Sequence, residues 1–162
     1  MRPVLLLFLA IGLLAGCVSR PELESVFDPG QAEAINQSGF GAVNGQAFLR
    51  RSDGAVAYAA GSDVYLIPRS AYADAHMAFL FRGGKFNNTV EEPSTDRRYL
   101  SMTKRMKADD EGRFRFTLLA DGDYYLLTKI TWKEGKVDAG GNLMEFVSLN
   151  GGQSVDVFMT GE

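Results

Sequence analysis

One cysteine and one histidine are all that the chain holds of two residue types often recruited for metal binding and nucleophilic chemistry. The lone cysteine, Cys17, has no second thiol to pair with, so no internal disulfide forms and the fold must be held by packing. The lone histidine, His76, has no second metal ligand at helical spacing and no nucleophile motif beside it. It reads as a half-buried packing residue on a short helix rather than as a general base working with Asp74 or Ser70. Positive charge is not in excess either: 17 Lys and Arg stand against 20 Asp and Glu, a net charge of −3. That balance argues against a nucleic-acid partner and against a polybasic membrane patch. The paired glycines Gly140-Gly141 and Gly151-Gly152 fall where hairpin turns are expected, not between a strand and a helix, so no phosphate cradle is indicated. No cofactor and no metal are expected.

Long apolar runs are absent with one exception. Behind Arg2, residues 4–14 are continuously apolar. A bilayer span takes about 20 such residues, so the segment fits the hydrophobic core of a signal peptide instead. It ends in Leu14-Ala15-Gly16-Cys17, which resembles the lipobox cut by the lipoprotein signal peptidase. Small residues at 15 and 16 admit the backbone to the protease, and the Cys17 thiol is the atom that accepts a diacylglyceryl group. The expectation is therefore removal of residues 1–16 and attachment to a membrane through lipid on Cys17, where two or more acyl chains give a stable anchor. Val18, rather than an aspartate, follows the cysteine, and outer-membrane attachment facing the periplasm is expected in a Gram-negative host.

Residues 17–40 carry Pro21, Pro29, Gly30 and several acids without sustained periodicity and read as a flexible tether. From residue 41 to 162 short apolar stretches alternate with Gly, Asp and Asn, the pattern of an all-β domain. Strands are predicted over 42–50, 63–68, 99–107, 113–118, 124–133, 143–149 and 154–159. In 113–118, Phe114, Phe116 and Leu118 share one face and Arg113, Arg115 and Thr117 the other. With Tyr124, Leu126, Ile130 and Trp132 on one face of the next run, 113–118 and 124–133 read as a hairpin across Ala120-Asp121-Gly122-Asp123. Turns are predicted at 52–54, 139–142 and 150–152, and an exposed loop over 85–98. Between Pro68 and Gly83, apolar residues recur at helical spacing, predicting a helix over 70–81 capped by Ser70 and lying across one end of a seven-stranded β-sandwich.

Three stretches carry a family resemblance: Asn44-Gly45-Gln46, the run 61–68, and Asp110-Glu111-Gly112-Arg113-Phe114-Arg115-Phe116 leading to Gly122-Asp123-Tyr124-Tyr125-Leu126. They resemble the carboxypeptidase regulatory-like domain, a prealbumin-like, Ig-like sandwich, over most of 41–135. The resemblance implies a non-catalytic accessory or presentation module. A related group that hydrolyses hydroxyisourate uses paired histidines and a characteristic C-terminal tetrapeptide, and this chain has neither.

Two clusters remain. Asp109-Asp110-Glu111-Gly112 is loosely like a calcium loop, but three adjacent acids cannot wrap one cation as alternately spaced acids do, and a solvated turn is the reading taken. Arg97, Arg98 and Tyr99, with Lys104, Arg105 and Lys107, form a cationic and aromatic stretch. As a strand it puts Tyr99 and Arg105 on one face, a pairing suited to an anionic sugar, a peptide carboxylate or a lipid head group. A charged edge strand that blocks aggregation is the competing account. The sequence thus predicts a non-enzymatic, lipid-anchored envelope module with an envelope protein or glycan as partner. The rival class is an envelope-associated hydrolase, or its accessory subunit, acting on peptide or glycan.

Overall fold

A computed structural model describes residues 26–33, 37–88 and 95–162. Cys17, the segment 1–16 and residues 18–25 and 34–36 of the predicted tether lie outside the described residues. Two sheets face each other as a β-sandwich, as the strand pattern predicts. In one sheet, β1 (Ser38–Arg50) pairs antiparallel with β2 (Val56–Tyr58) and β6 (Arg113–Leu119) and parallel with β9 (Ser154–Met159). The other sheet is antiparallel throughout. Its order is β4 (Phe86–Asn87), β8 (Val137–Leu149), β7 (Gly122–Glu134), β3 (Asp63–Pro68) and β5 (Lys104–Lys107).

Alternating side chains fill the space between the sheets: Val43, Ala47 and Leu49 from β1, Phe114, Phe116 and Leu119 from β6, and Val64 and Leu66 from β3. From the same sheet as β3, Tyr124, Leu126 and Ile130 of β7 and Leu143, Val147 and Leu149 of β8 also face the side chains of β1 and β6. Thr128 is the polar member of this row, and its Oγ1 donates to the Asp63 carbonyl at 2.9 Å.

Four strand and turn predictions change on contact with this topology. First, 113–118 and 124–133 are not a hairpin: β6 pairs with β1, whereas β7 pairs with β3 and β8, and the chain crosses between sheets at Ala120-Asp121. Alternation reports which face a residue takes, not which strand lies beside it. The crossing is pinned by the Tyr124 hydroxyl, which donates to the Ala120 carbonyl at 2.8 Å. The Asp121 carboxylate accepts from Gly151 and Gly152 N–H at 2.7 and 2.9 Å. Second, Leu118 is exposed and Leu119 is buried in its place. The register slips between Gly41↔Leu119 and Val43↔Phe116, and Leu118 takes a left-handed φ of 56° at that bulge.

Third, residues 139–142 are not a turn but part of β8, in a long hairpin that turns at Gly135-Lys136. Gly141 is there because β4 passes so close that a Cβ would meet the Asn87 carbonyl and the Phe86 ring. Fourth, 99–107 is not one strand. Residues 97–101 form a short helix, α3 (Arg97–Ser101), whose N-cap Asp96 accepts from Arg98 N–H at 2.8 Å, and only 104–107 is strand. The span predicted as an exposed loop, 85–98, thus contains β4 and the start of α3.

The helix predicted over 70–81 is present as α2 (Ala71–Phe81), with Ser70 Oγ accepting from Ala73 N–H at 3.1 Å and Arg82 ending it at a left-handed φ of 47°. It does not lie across an end of the sandwich. It packs on the outer face of the five-stranded sheet, where Tyr72, Ala73, Met77, Leu80 and Phe81 form a second apolar cluster with Ile67, Tyr99 and Phe27. Tyr65, Tyr125, Leu127 and Met144 lie against that cluster from the strands. That outer face reads Asp63, Tyr65, Ile67 on β3 and Tyr125, Leu127, Lys129, Thr131 on β7, so it is apolar only where α2 covers it. Ahead of the sandwich, a short helix, α1 (Pro29–Glu33), contributes Gln31, whose Oε1 accepts from Ala71 N–H at 3.0 Å. Among the described residues no helix is long and apolar enough to cross a membrane.

Candidate functional site

Among the described residues, three recesses on the outer face of the five-stranded sheet are of interest. At one end of α2, Arg69 Nε lies 3.0 Å from an Asp74 carboxylate oxygen, and Arg69 Nη1 lies 3.3 Å from Asp123. The Tyr125 hydroxyl donates to Asp74 at 2.7 Å. Hydrogen bonds and charge from Asp74 and Asp123 push the Arg69 pKa up, so the guanidinium is permanently charged. The Tyr125 pKa is pushed up to about 12, first by burial and then by its bond to Asp74. These groups satisfy one another. They clamp the start of α2 to the end of β3 and to β7, a structural role.

The second recess is a cavity of about 250 Å³ under α2 and α3, lined by Tyr65, Ile67, His76, Leu80, Tyr99 and Leu127 among others. The His76 ring stacks on Tyr99 at 5.4 Å between centroids, and Tyr72 and Phe27 meet Tyr99 edge-on at 4.9 and 5.9 Å. Asp74 belongs to Arg69 and Ser70 caps the helix, so neither serves His76 as a catalytic partner. Burial lowers the His76 pKa. A histidine whose folded pKa lies below its unfolded value takes up a proton more readily in the unfolded chain. Stability from this group is therefore complete above pH about 6.5 and falls as the pH drops through the folded pKa. We expect the urea midpoint to fall between pH 7.5 and 5, with His76→Phe removing part of that fall. Superimposable pH profiles for the two proteins would contradict the buried neutral imidazole.

The third recess is a polar groove of about 440 Å³ at the uncovered part of the same sheet face. Register builds it. Asp63 lies opposite Lys107, Tyr65 opposite both Arg105 and Leu127, and Lys129 opposite Asn142. Lys107 Nζ is 3.4 Å from the Asp63 carboxylate and donates to the Gly61 carbonyl at 3.2 Å, and Arg105 Nη1 is 3.9 Å from Asp63. Lys129 and Thr131 are exposed, while Asp63, Tyr65 and Asn142 are half-buried and so held in place. Three cations against one carboxylate make this corner positive on an acidic protein. The array offers an aromatic ring, a carboxylate, an amide, a hydroxyl and ammonium groups within one open recess. Such a set can accept from and donate to the vicinal hydroxyls of a sugar while the ring covers an apolar C–H face. Glycoside hydrolysis takes two carboxylates flanking the bond, and the described lining supplies one, Asp63.

The residues singled out in the sequence are dispersed. Arg105 stands beside the groove, 3.9 Å from Asp63, without lining it. Tyr99 is buried under α2, lining the neighbouring cavity rather than sharing a face with Arg105. Arg98 pairs with Asp96 at 2.8 Å, lowering the Asp96 pKa, and lies over the Phe27 ring at 5.7 Å. Arg97 is exposed on α3. In the acidic turn, the Asp109 carboxylate accepts from Glu111 and Arg113 N–H at 2.9 and 2.8 Å, and Glu111 pairs with Arg113. Asp63, Tyr65, Lys129 and Asn142 were missed. Their signal lay in the wet faces of β3 and β7, but it needs the strand order to become a site.

The opposite sheet also exposes aromatics, Tyr58 and Phe158. The Phe48 and Tyr58 rings there are steeply inclined, 61° at 6.1 Å, and give no flat platform.

No protein-family description and no curated protein matches the chain. Among solved structures it is similar to a "putative carbohydrate binding protein" from Pseudomonas aeruginosa, with a TM-score of 0.71 and 27% sequence identity. The match covers 83% of this chain and 97% of that one.

Proposed function

We propose that this chain is a non-enzymatic carbohydrate-binding module, anchored to the outer membrane by lipid on Cys17 and facing the periplasm of a Gram-negative host. The observation that carries the reading is the groove: Asp63, Tyr65, Lys107, Lys129 and Asn142 are brought together from four strands of one sheet. The similarity to a protein described as carbohydrate binding, over most of both chains, supports it. So does the sequence resemblance to carboxypeptidase regulatory-like domains, whose usual part is accessory rather than catalytic. Because cations outnumber acids at the groove, the ligand class is a glycan bearing carboxylate or phosphate groups. Its binding weakens as salt screens the exposed lysines.

Arrays of neutral and anionic bacterial glycans, probed with the chain from residue 18 on, test the function. Retention on anionic glycans that falls with added salt is the expected result. Retention on none of them, with turnover of a peptide or glycan substrate instead, would support the hydrolase class.

The anchor has its own test. Cys17→Ser removes the sulfur that accepts the lipid, so the variant is expected to remain uncleaved or to appear in the soluble fraction. Metabolic acyl label still found on Cys17→Ser would overturn the lipobox reading.

A further inference from the structure

The cavity beneath α2 has a feature that packing alone does not account for. Tyr99 Oη and His76 Nδ1 both belong to residues lining it, both atoms are shielded from solvent, and neither has a hydrogen-bond partner among the described residues. His76 is 7% exposed and Tyr99 4%. A buried hydroxyl or ring nitrogen left unpaired is destabilising, and two in one cavity are uncommon. The remaining wall is mostly apolar, from Ile67, Met77, Leu80, Leu100 and Leu127, with Tyr65, Thr95 and Thr103 as its further polar members. A cavity of about 150 Å³ accepts a benzene ring, so one of about 250 Å³ has room for roughly eight to ten carbon atoms.

We propose that this cavity is a ligand site for a small, mostly apolar molecule carrying one hydroxyl group, which bonds to Tyr99 Oη and His76 Nδ1. A neutral imidazole beside a phenol supplies both an acceptor and a donor, so one ligand oxygen can satisfy the pair. The site is separate from the glycan groove and does not depend on it. Tyr65 and Leu127 border both, but neither bears the unpaired atoms.

The test compares toluene with p-cresol, which differ only in a hydroxyl, by titration into the isotope-labelled chain from residue 18 on. A dry apolar cavity favours toluene, because the cresol hydroxyl must leave water without recompense. The proposal predicts the reverse: p-cresol binds at least about tenfold tighter, with amide shifts centred on His76, Leu80, Tyr99 and Leu127. Tyr99→Phe, which keeps the six-membered ring, and His76→Phe, which puts a larger apolar ring in place of the imidazole, are each expected to bring the two affinities within about twofold. Equal or tighter binding of toluene by the unaltered chain would overturn the proposal, as would an absence of binding or shifts confined to other surfaces. The comparison on the unaltered chain stands even if a variant fails to fold.

Discussion

Phe116→Ala is expected to cost about 3–5 kcal/mol, enough to leave a domain of this size near its unfolding threshold. Phe116 is 6% exposed, lies opposite Val43 in the register of β1 and β6, and meets Phe114 edge-on at 6.1 Å. Truncation removes apolar surface from both sheets and leaves a cavity that the flanking strands cannot close without breaking their ladders. The adjacent residue provides the control. Arg115 is exposed, and Arg115→Ala is expected to change stability by about 0.5 kcal/mol or less. Urea melts of the two variants read the difference directly. Equal losses would mean that the inward and outward faces of β6 are misassigned.

Asp63→Ala is expected to weaken glycan binding by about tenfold to a hundredfold, the loss of a hydrogen bond to a charged group. The carboxylate is half-buried at the centre of the groove, where Lys107 and Arg105 hold it from one side while the other faces the recess. The fold is expected to tolerate the change, because both cations are exposed and regain water when the acid is removed. Arg115→Ala, on the opposite sheet, should leave affinity unaltered. Calorimetric titration with an anionic oligosaccharide separates the cases. An Asp63→Ala protein that binds as well as the unaltered chain would place the sugar elsewhere.

Local signals in the sequence led directly to local structure. Ser70 and the apolar spacing behind it specify α2, because a cap and a 3.6-residue period are properties of one segment. Phe114 and Phe116 point inward as alternation predicts, and the pattern fails at Leu118 because a bulge adds a residue that no period of two anticipates. Partners were not legible. The turn residues at Ala120-Asp121 look the same whether the chain folds back on its own strand or crosses to another sheet, and only the bonds from Asp121 to Gly151 and Gly152 distinguish the two.

The candidate site follows the same division. Arg105 was within reach of sequence reasoning because it stands out by type. Its neighbours Asp63, Lys129 and Asn142 come from strands far apart in the chain and meet only through the order β8, β7, β3, β5. The pattern that predicts a loop through Arg98 and a strand from Tyr99 carries no sign of the capping role of Asp96. That carboxylate holds Arg98 and starts a helix, and the turn buries Tyr99 under α2.

Chemical-shift mapping during titration with an anionic oligosaccharide tests the central claim most directly, because it locates the ligand on the fold without altering a residue. The account predicts that the perturbed amides cluster at Asp63, Tyr65, Lys107, Lys129 and Asn142, on the uncovered part of the five-stranded sheet. Perturbations gathered instead on the other sheet, at Asn44, Gln46, Tyr58 and Phe158, would contradict it.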